Sequence, residues 1–488
     1  MGNKDMVYLN TLELVEKYLE GCNGEQFLDR PTGPAAFAEG LIFGSGDKWK
    51  NNKKAFLKAM HTQTLLEDME AAVQIELNIA LDDLYQKAET GEPTKIGDTL
   101  LPACANVVSS FLLGESLPKA SEDRTILHGI VKNLENVDLT SPLVQFSLKH
   151  PKLCWYLKKI LWQDIVDIHA TSGRLQRLIG GWINQIRQKS VDPTENQAQL
   201  IAPDSSSVDN VTPQVSKPVS DGCVTTEEYF QRHLGHEQSM NVNHYSILRR
   251  ILAQPEFRQT EGSKDEELLQ SLVDMFFGGV TTVLSGLEFI LMYLSKNPTM
   301  QKLAQQEIAH VLVKETKNSS SKGNQAQNEI TWSMREKMPY LRACIVEGLR
   351  LGCVTPSSVP HVASVDAEIE GYSVPRGTLV FVSLYSVHRD QEEYAEPTEF
   401  RPERHLDSEG NFRPPKNYRP YGIGARLCLG EALSEMEIFI FVAVILKEFT
   451  IVPPESKKAS EMKTHMRIVH RLKDFECILS ASGMEDEA

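Results

Sequence analysis

The sequence predicts a mainly helical fold with small β-sheets. An apolar segment from Asp265 to Lys296 has helical periodicity and ends at Asn297-Pro298, which indicates one helix long enough to cross a whole domain. A second helical pattern runs from Glu431 to Phe449. Between these two helices, the stretch from Ala367 to Val382 combines short β-prone runs with Gly and Pro, which predicts a hairpin with its turn.

Shorter patterns fill in the rest of this architecture. Val7 to Leu19 indicates a strand followed by a helix, and Met69 to Tyr85 and Leu153 to Ile186 have helical periodicity. Pro339 to Leu351 starts with the proline that helices favour at their first position. The segment 189–242 is rich in Ser, Pro, Asn, Gln, Asp and Thr, so we expect a disordered insertion there.

Composition excludes several classes of function. The chain has 488 residues, of which 41% are hydrophobic and 24% charged, as in ordinary globular proteins. A net charge of -15 argues against nucleic acid as a partner. The eight cysteines have no pairing pattern, which favours a reducing compartment. There is no run of about 18 apolar residues to predict a membrane span, and Met1 to Glu25 does not read as a signal peptide.

A glycine-rich stretch, YGIGARLCLG from Tyr421 to Gly430, precedes the last long helix. Three glycines in ten residues do not suit a helix interior, so this is a loop that presents Cys428 just before a helix N-terminus. The free N–H groups and the positive dipole end there favour a thiolate. The plain alternative is a buried structural cysteine, and a zinc site would need nearby Cys or His ligands that the sequence lacks. The loop therefore favours a metal that takes one thiolate from the protein.

This decapeptide resembles the haem-ligand loop of the cytochromes P-450, Phe-x-x-Gly-x-Arg-x-Cys-x-Gly, and departs from it only at Tyr421. The resemblance implies one domain over residues 1–488, with a long central helix over a haem and the thiolate loop beneath it. It implies that Cys428 ligates the iron of haem b. The other loop residues that it assigns to the cofactor site are Tyr421, Gly424, Arg426 and Gly430.

Residues outside the loop are candidates for the haem propionates. Asp47 to Phe56 resembles the family's Trp-x-x-x-Arg helix, in which Trp49 and Lys53 supply an indole N–H and a cation. Lysine replaces arginine here, so the contact is expected to be weaker. The alternative is an exposed basic helix face with one packed Trp. His361 follows Pro360 as in the microsomal branch, and Arg30 is a weaker candidate.

The middle of the predicted central helix resembles the family's oxygen-binding segment. Gly278, Gly279 and Thr282 match its pattern, but Thr281 stands where an acidic residue is usual. A hydroxyl can help protonate bound oxygen, and a neighbouring carboxylate relays protons. Without that acid, the relay must come from water or another residue. The alternative role of Thr282 is a hydroxyl bonded to a carbonyl one turn earlier.

Three charged residues match a structural pattern of the family. Glu347 and Arg350 lie three apart on one helix face, and Arg404 lies in Phe400-Arg-Pro-Glu-Arg404. An isolated pair of this kind is usually a weak surface bridge. The resemblance implies instead a buried ionic triad that fixes the loop before the haem.

The implied function is a monooxygenase that inserts one atom of dioxygen into a lipophilic small molecule, such as a sterol, fatty acid or xenobiotic. The expected substrate contacts are Phe276, Phe277, Val280, Val283, Val354 and Val359. The implied electron source is NADPH through a flavoprotein reductase that docks on the basic helix of Lys53. The microsomal branch implies the cytosolic face of the endoplasmic reticulum membrane, although its usual N-terminal anchor is missing here, and we expect a truncated sequence.

Two other functions stay open at this stage. A haem-thiolate isomerase, dehydratase or peroxide-using enzyme does not need the acid–Thr relay, so the departure at Thr281 permits it. The third hypothesis is a haem-binding protein that has lost catalytic activity.

Overall fold

The computed structural model describes residues 6–31, 40–60, 63–113, 173–184, 246–257, 263–318, 329–455, 463–466 and 469–482, together with positions 125, 129, 186 and 187. These residues are mainly helical and carry several small sheets, which confirms the fold class. The segment 189–242 and most of 153–186 lie outside the described residues, so the predicted insertion stays a prediction, as does the assignment of one domain to residues 1–488.

The labelled helices are α1 Leu12–Leu19, α2 Gly21–Gly24, α3 Gly46–Met60, α4 Gln63–Thr90, α5 Ile96–Leu113, α6 Ile247–Ala253, α7 Ser263–Lys296, α8 Pro298–Asn318, α9 Pro339–Gly352, α10 Leu384–Val387 and α11 Glu431–Glu448. The strands are β1 Met6–Leu9, β2 His361–Val362, β3 Ala367–Ile369, β4 Tyr372–Val374, β5 Leu379–Val382, β6 Phe449–Val452, β7 Thr464–Met466, β8 His470–Leu472 and β9 Ile478–Ala481.

The 34-residue helix α7 is the centre of the main core. It packs against α5, α9 and α11, and apolar side chains on several of its faces are buried, as expected for a helix enclosed by others. Helix α5 and residues Asp265–Lys296 of α7 are long and apolar enough to cross a membrane. Because most of both segments is buried inside the protein, we interpret them as core helices.

The smaller core lies under a three-stranded sheet of order β1-β5-β2. Strand β1 pairs with β5 in parallel, although the two are far apart in the chain. Strands β3 and β4 form the predicted hairpin, closed by Glu370 and Gly371, both at positive φ. The prediction that this hairpin continues to Val382 is wrong, because residues 379–382 form β5, which pairs with β1 and β2.

Candidate functional site

The loop before α11 has the shape that its glycines predict. Gly424 has φ +66°, and a Cβ there would lie 2.4 Å from the carbonyl oxygen of Leu19, so only glycine fits without strain. The amide of Cys428 donates to the carbonyl of Tyr421 over 3.0 Å, which closes the loop just before the helix. Gly430 precedes the first residue of α11. The loop therefore presents Cys428 at a helix N-terminus.

The Cys428 side chain is exposed, whereas Cys104, Cys344, Cys353 and Cys477 are buried. Desolvation by the surrounding protein raises the pKa of its thiol to about 11, while the Gly430 amide and the Lys53 ammonium act to lower it. Accessibility and desolvation are compatible, since the sulfur is open on one side and surrounded by protein on the others. A thiol of this pKa is protonated at neutral pH, so a metal that binds it must displace the proton.

Cationic side chains gather behind this loop around Trp49. The guanidinium of Arg426 stacks on the indole at 3.5 Å, and the Lys53 ammonium lies 5.4 Å from the ring centre. Lys53 donates to the carbonyl of Ala425, which ties α3 to the thiolate loop. The indole N–H of Trp49 donates to the carbonyl of Leu41 over 3.0 Å.

Arg30 and His361 reach the same region from the small sheet. Arg30 Nη1 donates to the carbonyls of Val359 and Pro360 over 2.6 and 3.0 Å, and its Nε is buried with no partner in the described part of the chain. His361 Nδ1 lies 2.7 Å from the carbonyl of Phe27, so this nitrogen carries the proton. Both side chains are buried.

The electrostatics of this cluster favour an anion. Burial is the main cause that lowers the pKa of Arg30 to about 9, of Arg426 and Lys53 to about 8, and of His361 to about 3. Mutual repulsion adds to burial, because Arg30 acts on Arg426, Lys53 and His361. Asp29 offsets part of this charge at Arg426. A cofactor with carboxylates would satisfy the unpartnered Arg30 Nε and relieve the repulsion, so the residues fit the propionates of haem.

The two glycines of α7 serve different purposes. A Cβ on Gly279 would lie 2.8 Å from a Val108 methyl, so Gly279 permits close packing of α7 against α5. Gly278 meets only Ile42, at 3.9 Å, and is half-buried, so this part of the helix faces open space.

Both threonines after these glycines bond within the helix. Thr282 Oγ1 donates to the carbonyl of Gly278 over 2.6 Å, and Thr281 Oγ1 donates to that of Phe277 over 3.1 Å. Thr282 therefore makes the intrahelical bond that the alternative reading anticipated. Thr282 is half-buried and Thr281 is buried, and their catalytic roles stay predictions.

The six predicted substrate contacts fall into two groups. The half-buried ones, which a ligand can reach, are Phe277, Val354 and Val359. The others pack in the main core with at most 2% exposure, and these are Phe276, Val280 and Val283. A ligand reaches this second group only if the core rearranges, so the six residues do not form one accessible surface in this structure.

The structure brings Glu347, Arg350 and Arg404 together. Glu347 accepts two hydrogen bonds from Arg350, over 2.7 and 2.8 Å, and one from Arg404 Nε over 3.0 Å. His405, which the sequence reasoning missed, adds its Nε2 at 2.7 Å from Glu347. Burial acts to raise the pKa of Glu347, but the bonds from Arg350 and His405 outweigh it and hold the pKa at about 2. Arg350 also donates to the carbonyl of Pro397 over 2.8 Å, which fixes the following loop.

Sequence reasoning also missed Asp274, one turn before Gly278 on α7. Its carboxylate accepts from the amide of Ile42 over 2.8 Å and from Gln270 over 3.0 Å. Burial raises the pKa of Asp274 to about 7, against the lowering effect of these bonds. The sequence signal for Asp274 was its spacing of four from Gln270, which puts both on one helix face. The signal for His405 was its position directly after Arg404.

Comparison with known proteins identifies relatives of the chain. The family described as Cytochrome P450 matches residues 1–477. A steroid 17-alpha-hydroxylase/17,20 lyase of Ictalurus punctatus is 36% identical over 222 residues, which cover 45% of this chain and 41% of that protein. Cytochrome P450 2U1 of Rattus norvegicus is 33% identical over 228 residues, or 46% and 41%. Cytochrome P450 2J2 of Homo sapiens is 26% identical over 483 residues, or 97% and 82%. The matches to the steroid hydroxylase and to 2U1 thus span about two fifths of those relatives.

Proposed function

Because the chain belongs to the cytochrome P450 family, we propose that it is a haem-thiolate monooxygenase that inserts one atom of dioxygen into a lipophilic small molecule. The observation that carries the proposal is the accessible Cys428 in a glycine loop at a helix N-terminus, beside a buried cluster of cations. Haem b, when bound, supplies the oxygen chemistry, and a thiolate ligand favours O–O cleavage.

Each part of the site has a task in this proposal. Cys428 would bind the iron, and the cations of Arg30, Lys53 and Arg426 would attract the propionates. Trp49 and His361 would donate to the propionates only after releasing the bonds to Leu41 and Phe27 that they make in this structure. Tyr421, Gly424 and Gly430 shape the loop. Glu347, Arg350 and Arg404, with His405, hold the segment before the loop in place. Thr282 offers a hydroxyl on the open face of α7 for proton transfer.

The substrate in this proposal is apolar. Phe277, Val354 and Val359 are half-buried apolar side chains that a ligand can reach, as an apolar substrate requires. One relative is named a steroid hydroxylase, so steroids are the first class to test, followed by fatty acids and xenobiotics.

The proposed electron donor is an NADPH-dependent flavoprotein reductase. Lys50, Lys54 and Lys58 are exposed on α3, whereas Lys53 on the same helix points inward. This exposed basic face in a chain of net charge -15 would attract an acidic reductase surface. The proposed location is the cytosolic face of the endoplasmic reticulum membrane, which the resemblance to the microsomal branch implies.

A second candidate function follows from Thr281. This side chain is buried and bonded to its own helix, and it has no carboxyl group to relay a proton. A haem-thiolate isomerase, dehydratase or peroxide user needs no such relay, and a degenerate haem-binding protein needs none either. Product formation that requires NADPH and a reductase supports the monooxygenase; turnover with substrate or peroxide alone supports the second candidate.

The first experiment is the carbon monoxide difference spectrum of the reduced, haem-loaded protein. A strongly red-shifted Soret band is expected for the wild type and for Cys477→Ser, which alters a buried cysteine elsewhere. Cys428→Ser should abolish that band. If Cys428→Ser keeps the wild-type band, the assignment of the iron ligand is wrong and the proposed function fails with it.

The role of position 281 has its own test. We expect Thr281→Asp to raise the fraction of consumed NADPH that appears as product, because it restores a carboxyl group beside Thr282. Thr281→Asn is the control of similar size without an acid. An equal gain in both variants, or none, would place the proton supply elsewhere.

A further inference from the structure

We propose that His470 is a positioning residue that ties the Val354–Pro360 segment to helix α7 at Ser285, three residues after Thr282. The proposal rests on the function proposed above, because that function makes Val354 and Val359 part of the substrate wall. His470 is the first residue of strand β8 and is buried. The sequence reasoning gave it no role.

His470 holds both sides of a strained residue. Cys353 is the C-cap of α9 and has φ +41°, a left-handed conformation that is common at helix ends but costs free energy in a residue other than glycine. The ring Nδ1 of His470 lies 2.6 Å from the carbonyl of Gly352, and its backbone N–H donates to the carbonyl of Val354 over 2.8 Å. The two residues that flank Cys353 are therefore tied to the same histidine.

The histidine is in turn anchored to the central helix. Its carbonyl accepts a hydrogen bond of 2.5 Å from Ser285, which lies three residues after Thr282 on α7. Its ring packs on Phe289, one turn further along, with ring centres 4.9 Å apart. The packing is tight here, because a Cβ on Gly352 would lie only 2.7 Å from the Phe289 ring.

The protonation of the ring suits this contact. Burial lowers the pKa of His470, with the nearby Arg389 adding to this effect, so the ring is neutral at pH 7. A carbonyl only accepts hydrogen bonds, so the proton of the neutral ring is on Nδ1, where it donates to Gly352.

The far end of the segment is held in a similar way. Ser358 has φ +53°, the second left-handed non-glycine residue of this stretch, and Arg30 binds the carbonyls of the next two residues, Val359 and Pro360. The segment is thus fixed at one end from α7 through His470 and at the other from the propionate-binding cluster. A change at His470 should move the substrate wall and leave the haem in place.

Two substitutions separate the ring from its hydrogen bond. His470→Phe keeps a ring against Phe289 and removes the donor. His470→Asn keeps a donor at the Nδ1 position and removes the ring. His310→Phe is the matched control, because His310 is exposed on α8.

The first measurement is hydrogen exchange of the haem-loaded proteins, read in peptides that cover residues 353–360. We expect exchange to be about tenfold faster in His470→Phe, because a lost buried bond allows local opening. His470→Asn and His310→Phe should stay near wild type. If exchange in His470→Phe equals that of the wild type, the proposal is wrong. If exchange is accelerated equally in His470→Phe and His470→Asn, the effect comes from the ring and not from the hydrogen bond, which also overturns the proposal.

The second measurement is the spin-state titration with progesterone and with lauric acid as probes. His470→Phe should raise their dissociation constants about tenfold, while binding of imidazole to the iron and the carbon monoxide spectrum stay unchanged. Unchanged dissociation constants in His470→Phe would refute the positioning role.

If His470→Phe does not load haem, Ser285→Ala replaces it, because it removes the anchor to α7 and should accelerate exchange in the same peptides. If neither probe shifts the wild-type spin state, the proposed substrate class fails, and the exchange data still decide whether His470 fixes the segment.

Discussion

The hydroxyl of Tyr421 is buried in the loop that presents Cys428, and it has no hydrogen-bond partner among the described residues. Burial, and after it the nearby carboxylate of Glu435, raises the pKa of this phenol well above its usual range, so the side chain is neutral. Leaving a buried polar group unsatisfied costs about 1–3 kcal/mol. Tyr421, which stands where the family pattern has phenylalanine, therefore lowers the stability of the fold.

We expect Tyr421→Phe to stabilise the protein by about 1 kcal/mol, because it removes the unsatisfied hydroxyl and keeps the ring. The measurement is the thermal unfolding midpoint of the haem-loaded protein. Tyr372→Phe is the control, since Tyr372 is 76% exposed and should leave the midpoint unchanged. A lower midpoint for Tyr421→Phe would show that the hydroxyl is bonded in solution.

At the scale of elements, Glu347 joins α9 to the segment of Arg404 and His405. Arg350 is fully buried, so removing Glu347 leaves its guanidinium without a carboxylate partner. We expect Glu347→Ala to cost about 3–5 kcal/mol and to give little haem-loaded protein. Soluble yield and haem content are the measurements.

The control for this variant is Glu370→Ala, which removes a bridge between exposed residues, Lys17 and Glu370. Such bridges contribute little, so yield and haem content should match the wild type. Normal haem loading of Glu347→Ala would show that the ionic cluster does not hold the loop.

Helix α11 carries the fully buried carboxyl group of Glu437, whose oxygens have no N–H or O–H partner in the described ranges. Burial raises its pKa from 4.5 to about 8, and contact with the Cys104 thiol offsets this only in part. The folded state therefore binds a proton that the unfolded state has released above about pH 4.5. Its contribution to stability is full below that pH and is lost as the pH rises through about 8.

Between about pH 5 and pH 8, we expect the free energy of unfolding to fall more in the wild type than in Glu437→Gln. The expected difference is a few kcal/mol, since each pKa unit corresponds to about 1.4 kcal/mol. Unfolding by denaturant at both pH values measures this. Glu392→Gln alters an exposed carboxylate and should follow the wild type. Parallel pH dependence of the wild type and Glu437→Gln would mean that Glu437 is ionised in the fold.

At the scale of the whole molecule, the segment 189–242 is predicted to be a disordered insertion. Deleting Asp204 to Asp221 should leave the thermal midpoint and the haem content nearly unchanged, because a segment without buried apolar groups contributes little to folding. By contrast, the described parts on either side of this segment, residues 173–184 and α6, contain buried apolar side chains. A clear fall in the midpoint would show that the segment packs on the rest of the protein.

The sequence by itself determined the features that depend on neighbours in the chain. The length of α7, the glycine loop around Cys428 and the three-residue spacing of Glu347 and Arg350 follow from local backbone preferences and helix geometry. These features identified the family.

Only the tertiary structure decided what distant segments do to each other. It pairs β5 with β1 instead of extending the hairpin, adds His405 to Glu347, and brings His470 to both flanks of Cys353. Such contacts join residues up to hundreds of positions apart, and their energies depend on burial and on which polar groups are left to be satisfied, neither of which a local pattern contains. The same reason separates Gly278 from Gly279, which are equivalent in sequence and differ only in whether Val108 lies against them.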